Sequence, residues 1–138
     1  MQKFYASLAL GLIGLASCNG LKEQKAITTD QLKKIEDGIP KVIPTVTLIN
    51  TRQGDDHTKI KIILGDPTFY NANADEKHSK AVEVGKMVLE VVGVDNSLSD
   101  GKLVITKDVK NQAEDPADGI TLDMKLDSLN NELYKNKK

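Results

Sequence analysis

Hydrophobic residues recur along this chain with two different periods, which predict helices and strands respectively. Between Asp75 and Val92 they fall three or four positions apart with charged residues between them, which is typical of an amphipathic helix packed on a core. Gly93 predicts where that helix ends. The segment from Ile120 to Leu126 alternates apolar and polar residues without exception, which indicates a strand with one buried face.

The pattern near residue 30 predicts a short N-terminal helix. Thr28 and Gln31 have the spacing of a capping box, in which each residue's side chain bonds to the backbone N–H of the other. A narrow apolar stripe follows at helical spacing. We expect Gly38 and Pro40 to end this helix, because glycine is common after a helix and proline cannot continue one.

Three further strands are predicted from β-branched residues and local alternation, at residues 45–51, 59–64 and 102–107. The polar, glycine-containing segment 52–56 reads as a turn, so the first two of these strands should form a hairpin. A last helical turn or two is expected from Asp127 onward.

The resulting order, α-β-β-α-β-β-α, predicts a small α+β domain. We expect a four-stranded, largely antiparallel sheet with the long helix, about residues 75–92, on one face and short helices at the ends of the chain. The other face of the sheet should be polar. In the alternative, strands 59–64 and 102–107 are parallel and are joined through the long helix by a right-handed crossover in a mixed sheet.

The N-terminal stretch has a different composition from the rest of the chain. Lys3 is the only charged side chain before Cys18, and thirteen residues from Phe4 to Ala16 include only Ser7 as a clearly polar one. That length matches the apolar region of a secretory signal, about 7–15 residues. It is below the roughly 20 residues that a membrane-spanning helix needs.

The run Leu15-Ala16-Ser17-Cys18 resembles the lipobox of bacterial lipoproteins, in which the cysteine thiol receives diacylglycerol and becomes the new N-terminus. An ordinary cleavage site fits less well, because Leu15 would stand where a small residue is required. Cys18 is the only cysteine, so acylation would also account for an exported chain that can form no intramolecular disulfide.

This resemblance implies a division of the chain and a location. Residues 1–17 would be the signal peptide, residues 18–27 a lipidated tether, and residues 28–138 a single α+β domain. The acyl chains would hold the protein to a membrane of the cell envelope. Asn19 is not the aspartate that retains such proteins at the inner membrane in the enteric sorting rule, so we expect the outer membrane, facing the periplasm.

The charge balance argues against nucleic acid as a partner. Loss of residues 1–17 removes one of the 19 Lys and Arg residues and none of the 20 Asp and Glu residues, which leaves 18 against 20, a net charge of −2. Proteins recruited to nucleic acid by electrostatics carry a clear basic excess.

The titratable residues form no pattern that predicts catalysis. His57 and His78 are the only histidines, and their spacing provides no zinc site. Residues 95–101 have the glycine of a calcium loop in the wrong register, and the acidic segment 114–118 is more typical of a solvated turn. No nucleophile elbow is present. The sequence therefore indicates no catalytic residue, no metal and no cofactor.

Phe69 and Tyr70 follow a predicted strand, where they either anchor a partner or close the end of the core. Together these features favour a non-catalytic binding or structural accessory module of the envelope, with an envelope protein as its partner. The alternatives are a periplasmic enzyme acting on small molecules or peptidoglycan, and a carrier of a small apolar ligand.

Two substitutions test whether residues 120–126 form a half-buried strand. Leu122→Asp should severely destabilise the domain, because an unpaired carboxylate would enter the core of a protein whose total stability is about 5–15 kcal/mol. Asp123→Leu should be far less destabilising, because that side chain points to water. Thermal unfolding of both variants measures this, and equal melting temperatures would contradict a half-buried strand here.

Overall fold

A four-stranded sheet with the strand order β1-β2-β3-β4 forms the centre of the domain. The computed structural model describes residues 25–107 and 118–135. Both outer strand pairs are antiparallel, and the central pair, β2 with β3, is parallel. The strands are β1 (Leu48–Gln53), β2 (Lys59–Gly65), β3 (Asp100–Thr106) and β4 (Ile120–Asp123).

Four α-helices accompany the sheet in the part of the chain that is described. They are α1 (Thr29–Val42), α2 (Pro67–Tyr70), α3 (Ala74–Val92) and α4 (Leu126–Asn130), and a π-helical turn over Asn131–Lys135 continues α4. The predicted α+β class and four-stranded sheet are confirmed. The sheet is mixed, because β2, α3 and β3 form the parallel crossover of the alternative arrangement, and α2 was not predicted.

The hydrophobic core lies between α3 and one face of the sheet. Ala81, Val84, Val88 and Leu89 of α3 are fully buried there, as the helical pattern predicted. Alternate residues of β2 and β3 face them: Ile60, Ile62, Leu64, Leu103 and Ile105. Each such aliphatic side chain contributes about 1.5–3 kcal/mol when it leaves water.

The opposite face of the sheet is not uniformly polar, so that expectation is wrong at its centre. Ile63 is 0% exposed and Val104 is 5% exposed, and the two are paired in the parallel register. They alternate with the core residues along their strands, so they lie on the other face. Central parallel strands are commonly apolar on both faces, and the runs Ile62-Ile63-Leu64 and Leu103-Val104-Ile105 have that character.

Helix α1 begins as predicted and ends later. The backbone N–H of Gln31 donates to Thr28 Oγ1 at 3.1 Å, and that of Thr28 donates to Gln31 Oε1 at 3.0 Å, so the capping box is present. The predicted stop at Gly38 and Pro40 is wrong, since the helix continues to Val42 with Pro40 inside its last turn. Gly38 instead lies against Met87 of α3, where it allows the two helices to approach closely.

The predicted hairpin is confirmed, with a shifted first strand. β1 begins at Leu48 because residues 44–45 form a turn. Val46 and Ile49 pack against the core. The backbone N–H of Gly54 donates to the Lys59 carbonyl at 2.8 Å and closes the hairpin.

The alternation at residues 120–126 persists in burial, although the strand ends at Asp123. Leu122, Met124 and Leu126 are buried. Lys125 has a φ of 58°, in the left-handed region, and its backbone N–H donates to Asp123 Oδ1 at 2.8 Å. This turn directs the chain into α4, so Asp127 lies in the first turn of that helix and Lys125 holds the N-cap position.

The residues just before α1 belong to the folded domain. Ile27 is 8% exposed and lies in the hydrophobic core. The backbone N–H of Lys25 donates to Ser97 Oγ at 2.8 Å. The end of the segment predicted as a tether is therefore attached to the loop before β3.

Two helical glycines should respond in opposite ways to alanine. A Cβ at Gly85 would lie 2.7 Å from the Met124 carbonyl oxygen, whereas one at Gly38 would meet the flexible end of Met87 at 2.9 Å. Alanine gains about 1 kcal/mol of helix propensity at either position, but a clash with backbone costs about 1–3 kcal/mol or more. Thermal melts should show a lower melting temperature for Gly85→Ala and an unchanged or higher one for Gly38→Ala. The reverse order would contradict the packing at Gly85.

Candidate functional site

The carboxyl ends of the parallel strands lie side by side, with Gly65 of β2 paired to Thr106 of β3. In sheets with parallel strands, ligands commonly bind just beyond this end. Asp66 follows β2 directly, and Asp118 and Tyr70 approach the same end through hydrogen bonds described below. This cluster is therefore the candidate functional site.

Asp66 joins three segments at this end of the sheet. Its side chain is 0% exposed, and its Oδ1 accepts the backbone N–H of Phe69 at 2.9 Å. Its Oδ2 accepts the hydroxyl of Thr45 at 2.6 Å, and its own backbone N–H donates to the Thr106 carbonyl at 2.9 Å. Asp66 is thus the N-cap of α2, with Pro67 in the first helical position.

Asp118 attaches the start of β4 to the end of β3. Its Oδ1 accepts the hydroxyl of Thr106 at 2.7 Å, and its Oδ2 accepts the backbone N–H of Lys107 at 3.3 Å. The hydrogen bond from the Thr106 hydroxyl is the main cause that lowers the pKa of Asp118 below its ordinary value of 3.8, because it stabilises the charged form.

Tyr70 covers the outside of this cluster. Its hydroxyl donates to the Asp118 carbonyl at 3.0 Å. The ammonium groups of Lys107 and Lys77 lie 5.4 and 5.9 Å from the centre of its ring, within the range of a cation–π interaction. The surface beside the half-buried ring is therefore positively charged.

The hydrogen bonds decide what the cluster can do chemically. Each carboxylate accepts two hydrogen bonds from the protein itself. The hydroxyls of Thr45 and Thr106 each donate one of these hydrogen bonds. The arrangement stabilises the end of the sheet.

The residues singled out from the sequence lie in different environments. Phe69 is 4% exposed and packs in the core, which is the second of the two roles considered for it from the sequence. Tyr70 remains half-buried at the surface. Cys18 lies outside the described residues, as do residues 114–117 of the acidic segment.

The structure also gives the positions of the two histidines and of the loop before β3. His57 lies in the hairpin turn with a φ of 62°, and His78 is exposed on α3. Within residues 25–107 and 118–135, no three His, Cys, Asp or Glu side chains are grouped so that they could hold a metal. In the loop, Asn96 Oδ1 accepts the N–H of Leu98 at 2.9 Å and the side-chain amide of buried Asn130 at 2.9 Å.

Sequence reasoning missed the roles of Asp66 and Asp118. Asp66-Pro67 carries a helix-start signal, aspartate at the N-cap and proline after it, and this could have predicted α2. The pairing of Asp118 with Thr106 has no local signal, because only the register of β3 with β4 brings the two together.

Comparison with protein-family models, with curated proteins and with solved structures finds no match to this chain. In the part of the chain that the structure describes, none of the helices has both the length and the apolar character to cross a membrane.

The lowered pKa of Asp118 predicts a pH dependence of stability. A carboxyl whose folded pKa is below its unfolded value of 3.8 contributes stability above that pH, and the contribution is lost as the pH falls through the folded pKa. The melting temperature of Asp118→Asn should fall less between neutral pH and about pH 3 than that of the unchanged chain.

Asp56 provides a second site for comparison, because the backbone N–H of Thr58 first, then its hydroxyl, lower the pKa of Asp56 as well. The double variant Asp56→Asn with Asp118→Asn should show a still smaller change of melting temperature between neutral pH and about pH 3. If the melting temperatures of Asp118→Asn and of the unchanged chain fell equally with pH, the result would contradict the hydrogen bond between Asp118 and Thr106.

Proposed function

We propose that this chain is a lipoprotein of the cell envelope, held to the membrane by acyl chains on Cys18. Its domain would act as a non-catalytic binding or structural accessory module for an envelope protein, with no nucleic acid involved. The observation that carries the proposal is the lipobox-like run from Leu15 to Cys18. Asn19 after the cysteine favours the outer membrane, facing the periplasm.

The attachment of Lys25 to the domain supports this arrangement. Lys25 is seven positions after Cys18 in the sequence, and seven residue steps of chain span at most about 25 Å. A lipid on Cys18 would therefore keep the domain beside its membrane. Such a short reach suits a module that acts on neighbouring envelope components.

The hydrogen bonds at the carboxyl end of the sheet support a non-catalytic role. Asp66 and Asp118 would be the natural acid and base candidates at this position, and both are occupied by donors of the protein itself. The space between α3 and the sheet is filled by side chains such as Val84 and Leu103, both fully buried. This gives the enzyme and the carrier alternatives less support.

A sheet edge offers the better surface for a protein partner now that Phe69 is in the core. β1 is an outer strand of six residues, all of them partly exposed. An extended segment of a partner can pair with such an edge through backbone hydrogen bonds. Tyr70 with its neighbouring lysines is the second surface.

Replacement of the acylated residue tests the proposal. Cys18→Ser should abolish incorporation of labelled fatty acid and leave an uncleaved precursor, because no other thiol is available. Ser17→Ala, which keeps a small residue before the cysteine, is the matched control and should be processed normally. Mass spectrometry of the membrane fraction measures both. A Cys18→Ser chain with the mature mass would contradict lipidation.

Purification of the intact lipoprotein separates the functional alternatives. A stoichiometric envelope protein that copurifies would support the accessory role. Its loss when charged residues are introduced along the exposed edge of β1 would locate the contact at that edge. A retained small apolar molecule would contradict it in favour of the carrier.

A further inference from the structure

The outer edge of β1 carries backbone groups that bond to nothing in the described part of the chain. The backbone N–H of Gly54 donates to the Lys59 carbonyl, which makes these two residues a hydrogen-bonded pair of the antiparallel ladder. Bonded pairs alternate with unbonded ones, so Ile49, Thr51 and Gln53 direct their N–H and C=O groups away from β2. Among the described residues, these outward groups have no hydrogen-bond partner.

The two edges of the sheet differ in their protection against pairing with another strand. β4, the outer strand on the other side, has only four residues and ends in Asp123. β1 has six residues, with Arg52 as its single charged one, and it contains neither lysine nor proline, which commonly protect an exposed edge. A row of unpaired N–H and C=O groups on such a strand is a template for one more extended strand. β1 is therefore the edge at which a further strand fits.

Two side chains on β1 indicate that this further strand is a second copy of β1. Thr51 is half-buried and lies on the core face, opposite Ile62, and its hydroxyl oxygen is buried without a hydrogen-bond partner among the described residues. If two copies of β1 pair antiparallel about a two-fold axis at Thr51, their hydroxyls lie side by side and one can donate to the other. The side-chain nitrogen of Gln53, on the same face, also lacks a partner. The diagonal position brings it within reach of Thr51 in the other copy.

The register about Thr51 places no like charges directly opposite each other. Ile49 of each copy faces Gln53 of the other copy. Asn50 likewise faces Arg52, so the two arginines are not opposed. Like charges directly opposite on neighbouring strands are destabilising. Helix α1, which packs against β1, carries three acidic residues and three lysines, so two copies of it near the same axis add no net charge. The edge is therefore complementary to itself.

We propose that two copies of this chain pair antiparallel through β1, with Thr51 on the two-fold axis, so that their four-stranded sheets join into one. The symmetric contact supplies partners to the outward backbone groups and to the side chains that lack them. The inference goes beyond the proposed function and does not require lipidation of Cys18. It assigns to a second copy the edge that could otherwise take a segment of an envelope protein. Tyr70 with its neighbouring lysines then remains as the surface for that protein.

Cysteine pairing tests the register. The full chain with Cys18→Ser, kept in an excess of detergent micelles, has no native thiol, so each introduced cysteine is the only one. Residues of a bonded pair have Cα atoms about 5.5 Å apart, within the range of a disulfide. On mild oxidation, Thr51→Cys should therefore become mostly covalent dimer. Gln53→Cys, on the same strand and face, should stay monomeric because it faces Ile49 of the other copy, and a mixture of Gln53→Cys with Ile49→Cys should cross-link.

Sedimentation of the Cys18→Ser chain measures the dimer without a cross-link. Its mass should rise from one chain to two as the protein concentration increases. Thr51→Pro removes only an outward N–H and should leave a folded monomer, while Thr51→Val, which keeps the shape and loses the hydroxyl, should weaken the dimer several-fold. A chain that stays monomeric, a dimer unchanged by Thr51→Pro, or equal self-cross-linking of Thr51→Cys and Gln53→Cys would overturn the proposal. So would release of a copurified envelope protein by charged residues along β1, which would assign the edge to that protein.

Discussion

The parallel pairing of β2 with β3 is the constraint on which the rest of the structure depends. Parallel neighbours cannot be joined by a tight turn, so the chain must leave one end of the sheet and return to the other. α3 makes that return and places its apolar stripe on the sheet. The pairing also explains why Ile63 and Val104 are buried on the face opposite α3, since both strands lie at the centre of the sheet.

This pairing gives the domain two chemically different ends. At the carboxyl ends of β2 and β3, Asp66 and Asp118 accept hydrogen bonds from the protein and close the sheet. At the amino ends, basic side chains line a groove beside the attachment of Lys25.

The sequence predicted those features of the fold that depend on neighbours along the chain. The capping box at Thr28 and the apolar stripe of α3 are local, so each follows from residue spacing. Gly38 shows the limit of this reasoning. A glycine near a proline is a common helix end, yet here its missing side chain serves contact with Met87, a residue distant in sequence. The role of Phe69 was likewise undecided until the core was known.

By itself, the sequence determined the strands, the helices other than α2, the single core and the resemblance to a lipoprotein signal, because periodicity and short motifs express local chemistry. Tertiary structure decided strand direction and strand order, since apolar alternation is the same in parallel and antiparallel pairs. It also decided the candidate sites. Asp118 meets Thr106, and Thr51 directs its backbone groups to the open edge of the sheet, only through a strand register that no local pattern encodes.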